Sequence, residues 1–176
     1  FILPGTTRKR IALANQTTLK THRRTILSAD LGGHPRYFDL WLEDMVSRNV
    51  EIVIWLIDHR HLVDSTDTSQ QDMFSRFAQV IINNDYSFAD RKLQSKAKKY
   101  KPQVVGLFAN KLDVWGEDWD VHWGTPRMNR HAIFEPFVPT LALLQTNMIP
   151  TIKRSISALH NHHCEEAIWD LMQAKH

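Results

Sequence analysis

Two apolar runs constrain this chain more than anything else in it. Glu51–Asp58 reads E-I-V-I-W-L-I-D, and Val104–Ala109 reads V-V-G-L-F-A. Neither alternates apolar with polar, so each is expected to be a strand buried on both faces, as in a parallel sheet. Between them, Thr68 to Ile82 carries Met73, Phe77, Val80 and Ile81 at helical spacing, with Asp67 or Ser65 placed to cap the helix. A strand, a helix and a second strand of this kind form a right-handed crossover unit, and several in series make an α/β fold with helices on both faces of a mostly parallel sheet.

The flanking segments extend the pattern. Lys9–Leu13 and Thr21–Ala29 read as a hairpin about the turn Asn15–Thr18. After Pro35, the residues Tyr37, Phe38, Leu40, Trp41, Met45 and Val46 share one helical face. Asn83–Lys101, with Arg91, Lys92, Lys96, Lys98, Lys99 and Lys101, reads as an exposed, partly helical connector, either a solvated helix or a basic contact surface for a partner or polyanion. Residues 114–138 are irregular and hold Trp115, Trp119, Trp123, Phe134 and Phe137, which fits a protein interface or a satellite core under a long loop. Pro139–Thr146 reads as a short helix, Ile149–Ser157 as a fourth strand and 158–163 as a loop. A closing helix from Cys164 to Ala174 turns Ile168, Leu171 and Met172 inward, with Trp169 beside them.

The 176 residues suffice for one domain with a sizeable core, taken as 1–176. No apolar run approaches the ~18 residues of a membrane span, and no segment has the features of a signal peptide. A single cysteine, Cys164, excludes an internal disulfide framework and fits a reducing, cytoplasmic setting. The formal charge of +3 is too mild to mark a dedicated nucleic-acid binder.

Chemistry gathers at strand ends. Thr25–Pro35 reads T-I-L-S-A-D-L-G-G-H-P. Asp30, at a strand's carboxyl edge, can hold Mg²⁺ directly or through water. Gly32 and Gly33 let the backbone approach a phosphate closely, and His34 can orient an attacking water. The same pattern also fits a plain Gly-Gly turn. The run His160, His162, His163 and Cys164 has zinc-ligand types, but such close neighbours do not close a tetrahedral site unaided, and no second cluster is spaced to complete one. No nucleophile-elbow motif is present.

Taken in order, four motifs resemble those of the Ras-like GTPase superfamily. P-G-T-T-R at residues 4–8 resembles the first switch of Era-type members, and D-L-G-G-H resembles D-x-x-G through Asp30 and Gly33. N-K-L-D matches N-K-x-D through Asn110, Lys111 and Asp113, and Ser157-Ala158-Leu159 resembles the weaker S-A-K. The resemblance implies a three-layer P-loop GTPase-like domain that binds GTP or GDP with Mg²⁺ and hydrolyses GTP slowly as a switch. Asp113 would accept from guanine N1–H and the exocyclic amine. Lys111 would lay its stem along the base, Asn110 would tie the base loop to neighbouring backbone, and Ala158 would donate its N–H to O6. Thr7, with Thr6 as rival, and Asp30 would serve Mg²⁺. Gly33 would donate to the γ-phosphate and release helix 36–49 on hydrolysis. His34 stands where translation-factor GTPases also carry histidine.

Three departures accompany the resemblance, one of them the segment 114–138, longer and richer in tryptophan than a plain connection. No G-x-x-x-x-G-K-[S/T] phosphate loop occurs in the chain, which opens at Phe1, and Leu159 replaces the frequent lysine. The expectation is a strand–loop–helix unit upstream; the alternative is a degenerate, nucleotide-independent interaction subunit of a larger assembly. A protein effector or assembly partner is expected at the switches and residues 114–138, and the Era-type likeness allows RNA or the ribosome.

Overall fold

The structure, a computed structural model, describes residues 9–12, 25–28, 35–60, 64, 66–87, 91–116, 131–157 and 161–174. Compact units meet between Leu42 and Glu43. In the first, β1 (Lys9–Ala12) pairs antiparallel with β2 (Thr25–Ser28), Arg10 opposite Leu27 and Ile11 opposite Ile26. The expected pair of strands is therefore present; its turn lies outside the described residues. A 3-10 turn, Pro35–Tyr37, leads into α1 (Phe38–Arg48), which runs across the division. Its buried positions are Phe38, Leu42, Met45 and Val46. Leu40, expected inside, is 56% exposed, because the inward stripe runs through Phe38, Leu42 and Met45 at steps of four and three.

The second unit is built on a parallel sheet of β3 (Ile52–Ile57), β4 (Val104–Ala109) and β5 (Thr151–Ser155), in the order β3-β4-β5. Ile54 lies opposite Gly106, and Gly106 opposite Ile152. Every residue of β4 is buried. A strand flanked on both sides and covered on both faces has no polar face to show, which is why its sequence is continuously apolar.

β3 departs from expectation. It pairs with β4 alone among the described residues, and only the face of Val53, Trp55 and Ile57 is well covered, with Val53 and Ile57 buried and Trp55 half-buried. On that face Trp55 meets Phe74 and Phe77 of α2 (Ser69–Asn83), at ring separations of 5.2 and 5.4 Å. On the other, Ile54 is 40% and Leu56 56% exposed. α6 (Asn161–Ala174) packs over β4 and β5, bringing Ala167 and Leu171 to Val104 and Phe108, and so does not shelter the outer end of β3. Gly106 allows the close seat of this helix: a Cβ there would lie 2.8 Å from a Leu171 methyl.

α2 buries Phe74, Phe77, Ala78 and Ile81, while Met73 and Val80, expected inside, are only half-buried. The N-cap is Thr68 and not the expected Asp67, and it makes no side-chain cap hydrogen bond; Asp67, one residue earlier, accepts the Ser69 N–H at 3.0 Å, and Ser65 lies outside the described residues. Asn84 ends the helix in the left-handed conformation with φ 53°. Phe137, from the 3-10 segment Ala132–Phe137, meets Phe74 edge-on at 5.9 Å. Phe134 and Phe137 are thus core residues, not an exposed aromatic surface; Trp119 and Trp123 lie outside the described residues.

The basic connector is less exposed than its charge implies. α3 (Arg91–Ala97) buries Ala97, and Tyr86 and Tyr100 on either side of it are buried too. The Tyr100 hydroxyl donates to the Val50 carbonyl at 2.9 Å. Lys96 and Lys101 donate to the carbonyls of Ser47 and Asn147. Lys92, Lys98 and Lys99 face solvent. The remaining helices are α4 (Leu112–Trp115) and α5 (Val138–Thr146), one residue longer than expected at its start. α6 begins three residues before the expected Cys164, and of its expected core residues Leu171 is buried while Ile168 and Met172 are half-buried.

Leu171→Ala removes the side chain seated on Gly106 and is expected to cost about 2–5 kcal/mol in urea unfolding; a loss below ~0.5 kcal/mol would contradict this packing. Burial pushes the Tyr86 and Tyr100 phenols above their ordinary value. A raised folded value favours the neutral form, so this stabilisation is complete below the unfolded value of about 10 and is lost as pH rises past it. Tyr100→Phe is therefore expected to flatten the fall in stability above that pH, and an unchanged alkaline limb would count against the burial of Tyr100.

Candidate functional site

Parallel strands place all their carboxyl ends at one edge, where open α/β sheets bind ligands. Here the edge is assembled from Asp58 after β3, Asn110–Asp113 after β4 and Ile156–Ser157 after β5. The middle loop is stitched to both neighbours. Asn110 N–H donates to Ile57 O at 3.2 Å, Leu112 N–H to Ile156 O at 3.0 Å, and Ile156 N–H to Ala109 O at 2.8 Å. Leu112, fully buried, anchors the loop from below.

This fixed frame holds a strained residue. Lys111 has φ 59° and ψ 41°, a left-handed conformation that non-glycine residues adopt at a cost of about 1–2 kcal/mol. The Asn110 side chain supports the bend by accepting the Lys111 N–H at Oδ1, 2.7 Å away. The indole Nε1 of Trp115 donates to Asn110 O at 2.7 Å. Strain in a loop this heavily supported is a common feature of ligand sites.

The conformation sends the Lys111 ammonium toward Asp58, with Nζ 3.4 Å from Oδ2. Asp58 is a junction of its own. Its backbone N–H donates to Gln70 Oε1 at 2.7 Å, and its carbonyl accepts from Gln70 Nε2 at 3.1 Å, so α2 grips the end of β3 from both sides. Its carboxylate accepts the Arg60 N–H at 3.1 Å, and His59 Nδ1 lies 3.0 Å from it. Burial pulls the Asp58 carboxyl upward, but the Arg60 N–H and the Lys111 and Arg60 charges outweigh it and hold the group below its ordinary value of 3.8.

Asp113 faces the loop after β5. Ser157 Oγ donates to Asp113 Oδ1 at 2.5 Å, joining positions 44 apart in sequence. Ser157 is fully buried, and its N–H donates to Nδ1 of the buried His163 at 3.3 Å. The result is a half-buried carboxylate with one oxygen engaged by Ser157 and further acceptor capacity on its lone pairs.

The structure thus brings Asn110, Lys111, Asp113 and Ser157 together, as their motif order anticipates. Thr7, Asp30, Gly33, His34, Ala158 and Leu159 lie outside the described residues, as do Thr6, Gly32 and His160. Among the described residues, no group of three His, Cys, Asp or Glu can hold a metal ion, and no helix is long and apolar enough to cross a membrane. Gln70 and the role of His163 carry no signal in the sequence pattern. Asp58 was legible as a carboxylate at a strand's end, but its pairing with Lys111 depends on the adjacency of β3 and β4.

No protein-family model, curated protein or solved structure matches the chain.

Asp58→Asn removes a carboxylate whose charged form the fold favours. A depressed folded value gives stability that is present above the ordinary 3.8 and lost as pH falls through the lowered folded value. The stability gap between wild type and D58N is expected to be largest near neutrality and to close in acid, as read by urea titrations at several pH values. A gap of constant size would contradict the assignment.

Proposed function

We propose that this chain is a guanine-nucleotide-binding domain of the Ras-like, P-loop GTPase class, a GTP-driven switch. One observation carries the reading: the Ser157–Asp113 hydrogen bond at 2.5 Å, which unites N-K-L-D with the S-A-L loop at the carboxyl edge of neighbouring parallel strands. Guanine presents two adjacent donors, N1–H and the exocyclic amine, and an aspartate held by Ser157 is a fitting acceptor pair. Adenine offers no such donor pair, so the same carboxylate rejects ATP. Lys111, propped by Asp58, would lay its methylenes on the base face, and Ala158 N–H would meet O6.

Under this reading GTP and GDP are the ligands. Mg²⁺ would be held by Thr7 and Asp30, Gly33 would face the γ-phosphate and His34 the attacking water, in line with their sequence pattern. Bound Mg²⁺ would neutralise charge on the phosphates during slow hydrolysis. This reading requires a phosphate loop, carried on a further strand–loop–helix unit. Among the described residues β3 pairs with β4 alone, and Ile54 and Leu56 beside its other edge are exposed, the apolar character such a unit requires: a strand added there and a helix laid over those residues would extend the sheet. A protein effector at the switches follows from the same reading.

The test is displacement of a fluorescent GTP analogue from the intact protein with Mg²⁺. GTP is expected to displace it and ATP not; equal displacement by both would overturn guanine selectivity. Asp113→Asn is expected to shift preference toward xanthine nucleotides, whose base presents an acceptor where guanine presents the amine. An unshifted preference would remove Asp113 from the base site.

A further inference from the structure

We propose that His163 is a positioning residue for base recognition, holding Asp113 in its reading orientation through Ser157. The inference rests on the guanine-site reading and extends it to a residue on the last helix.

The chain of contacts is short and buried. His163 is 2% exposed and sits in the first turn of α6. Its Nδ1 accepts the N–H of Ser157, six residues earlier, at 3.3 Å. A ring nitrogen that accepts carries no proton, so the imidazole is in its neutral form with hydrogen on Nε2. Ser157 is fully buried, so its N–H has no water to turn to if His163 is removed. With its backbone held, Ser157 aims Oγ at Asp113 Oδ1, 2.5 Å away. That bond leaves the carboxylate little freedom to rotate, and a two-donor edge such as guanine N1–H and the exocyclic amine requires both oxygens at a fixed angle. α6 is also tied to β5 beside the loop, where Arg154 donates to Asp170 Oδ2 from both Nε and Nη2 at 2.6 Å. The histidine therefore works from a fixed base.

His163 thus has a use other than metal binding, its Nδ1 being committed to the Ser157 backbone.

The experiment is titration of the intact protein with GTP, ITP and ATP, followed by ligand-observed NMR so that weak binding is read. ITP lacks the exocyclic amine, so the GTP-to-ITP ratio reports how well Asp113 engages its second donor. His163→Leu keeps the bulk and removes the acceptor, and is expected to lower that ratio about tenfold, the scale of one charge-assisted hydrogen bond. His163→Asn can present Oδ1 near the place of Nδ1, and is expected to restore most of it. An unchanged ratio in H163L, or a loss that H163N does not restore, overturns the positioning role alone. Failure of the wild-type protein to bind GTP overturns the guanine-site reading and this proposal with it. Should H163L not fold, the ¹⁵N shifts of the wild-type ring decide: an unprotonated Nδ1 is expected in the free protein, and a protonated Nδ1 overturns the proposal.

Discussion

The hydrogen-bond ladder around β4 is the constraint on which the second unit depends. β4 is paired on both edges and covered on both faces, so its six residues are all buried. That burial fixes the register of β3 on one side and β5 on the other. Register then fixes which side chains reach the carboxyl edge, because slipping a strand by one residue exchanges its faces. With Ala109 opposite both Ile57 and Ser155, the residues that follow, Asp58, Asn110 and Ile156, emerge together. Side chains on the two faces hold this frame. Phe74, Phe77 and Trp55 fill one face, and Leu171 on Gly106 fills the other. Burial of each large apolar side chain contributes about 1.5–3 kcal/mol.

The same frame supports a locally unfavourable loop. Lys111 would not adopt a left-handed backbone on its own account. It is held there by ladder bonds that continue past β4, by the Asn110 side chain and by the buried Leu112. The cost is offset elsewhere in the core, and what it obtains is placement. The ammonium meets Asp58, and Asp113 turns toward Ser157. Stability and candidate function are thus arranged in series: core packing sets register, register sets the loop, and the loop sets the polar groups.

Much of this order was legible along the chain, and the failures have definite causes. The strand identity of 51–58 and 104–109 followed from continuous apolar runs, but the same signal overstated the burial of β3. A run such as I-V-I-W-L-I records the apolar surroundings a strand requires, not which of its faces α6 reaches. Helical periodicity located α2 but placed Met73 inside instead of Phe74, since the spacing alone leaves the face uncertain by one residue. The lysines of the connector 83–101 imply exposure, although Ala97 and the two tyrosines carry its packing. Start signals for α6 are hidden in a run of histidines, so the sequence reads as loop through His163, whereas the helix begins at Asn161.

What the sequence by itself determined is the α/β character, the parallel crossover and the kinds of polar residue at each strand's end. These depend on residue type and local spacing, which a linear chain displays in full. Only the tertiary structure decided that Asp58 meets Lys111, that Ser157 meets Asp113, and that His163 accepts from Ser157. The first two contacts join positions 53 and 44 apart, and the third depends on where a helix begins. All three follow from strand adjacency and helix seating, which are properties of the packed core and of no single segment.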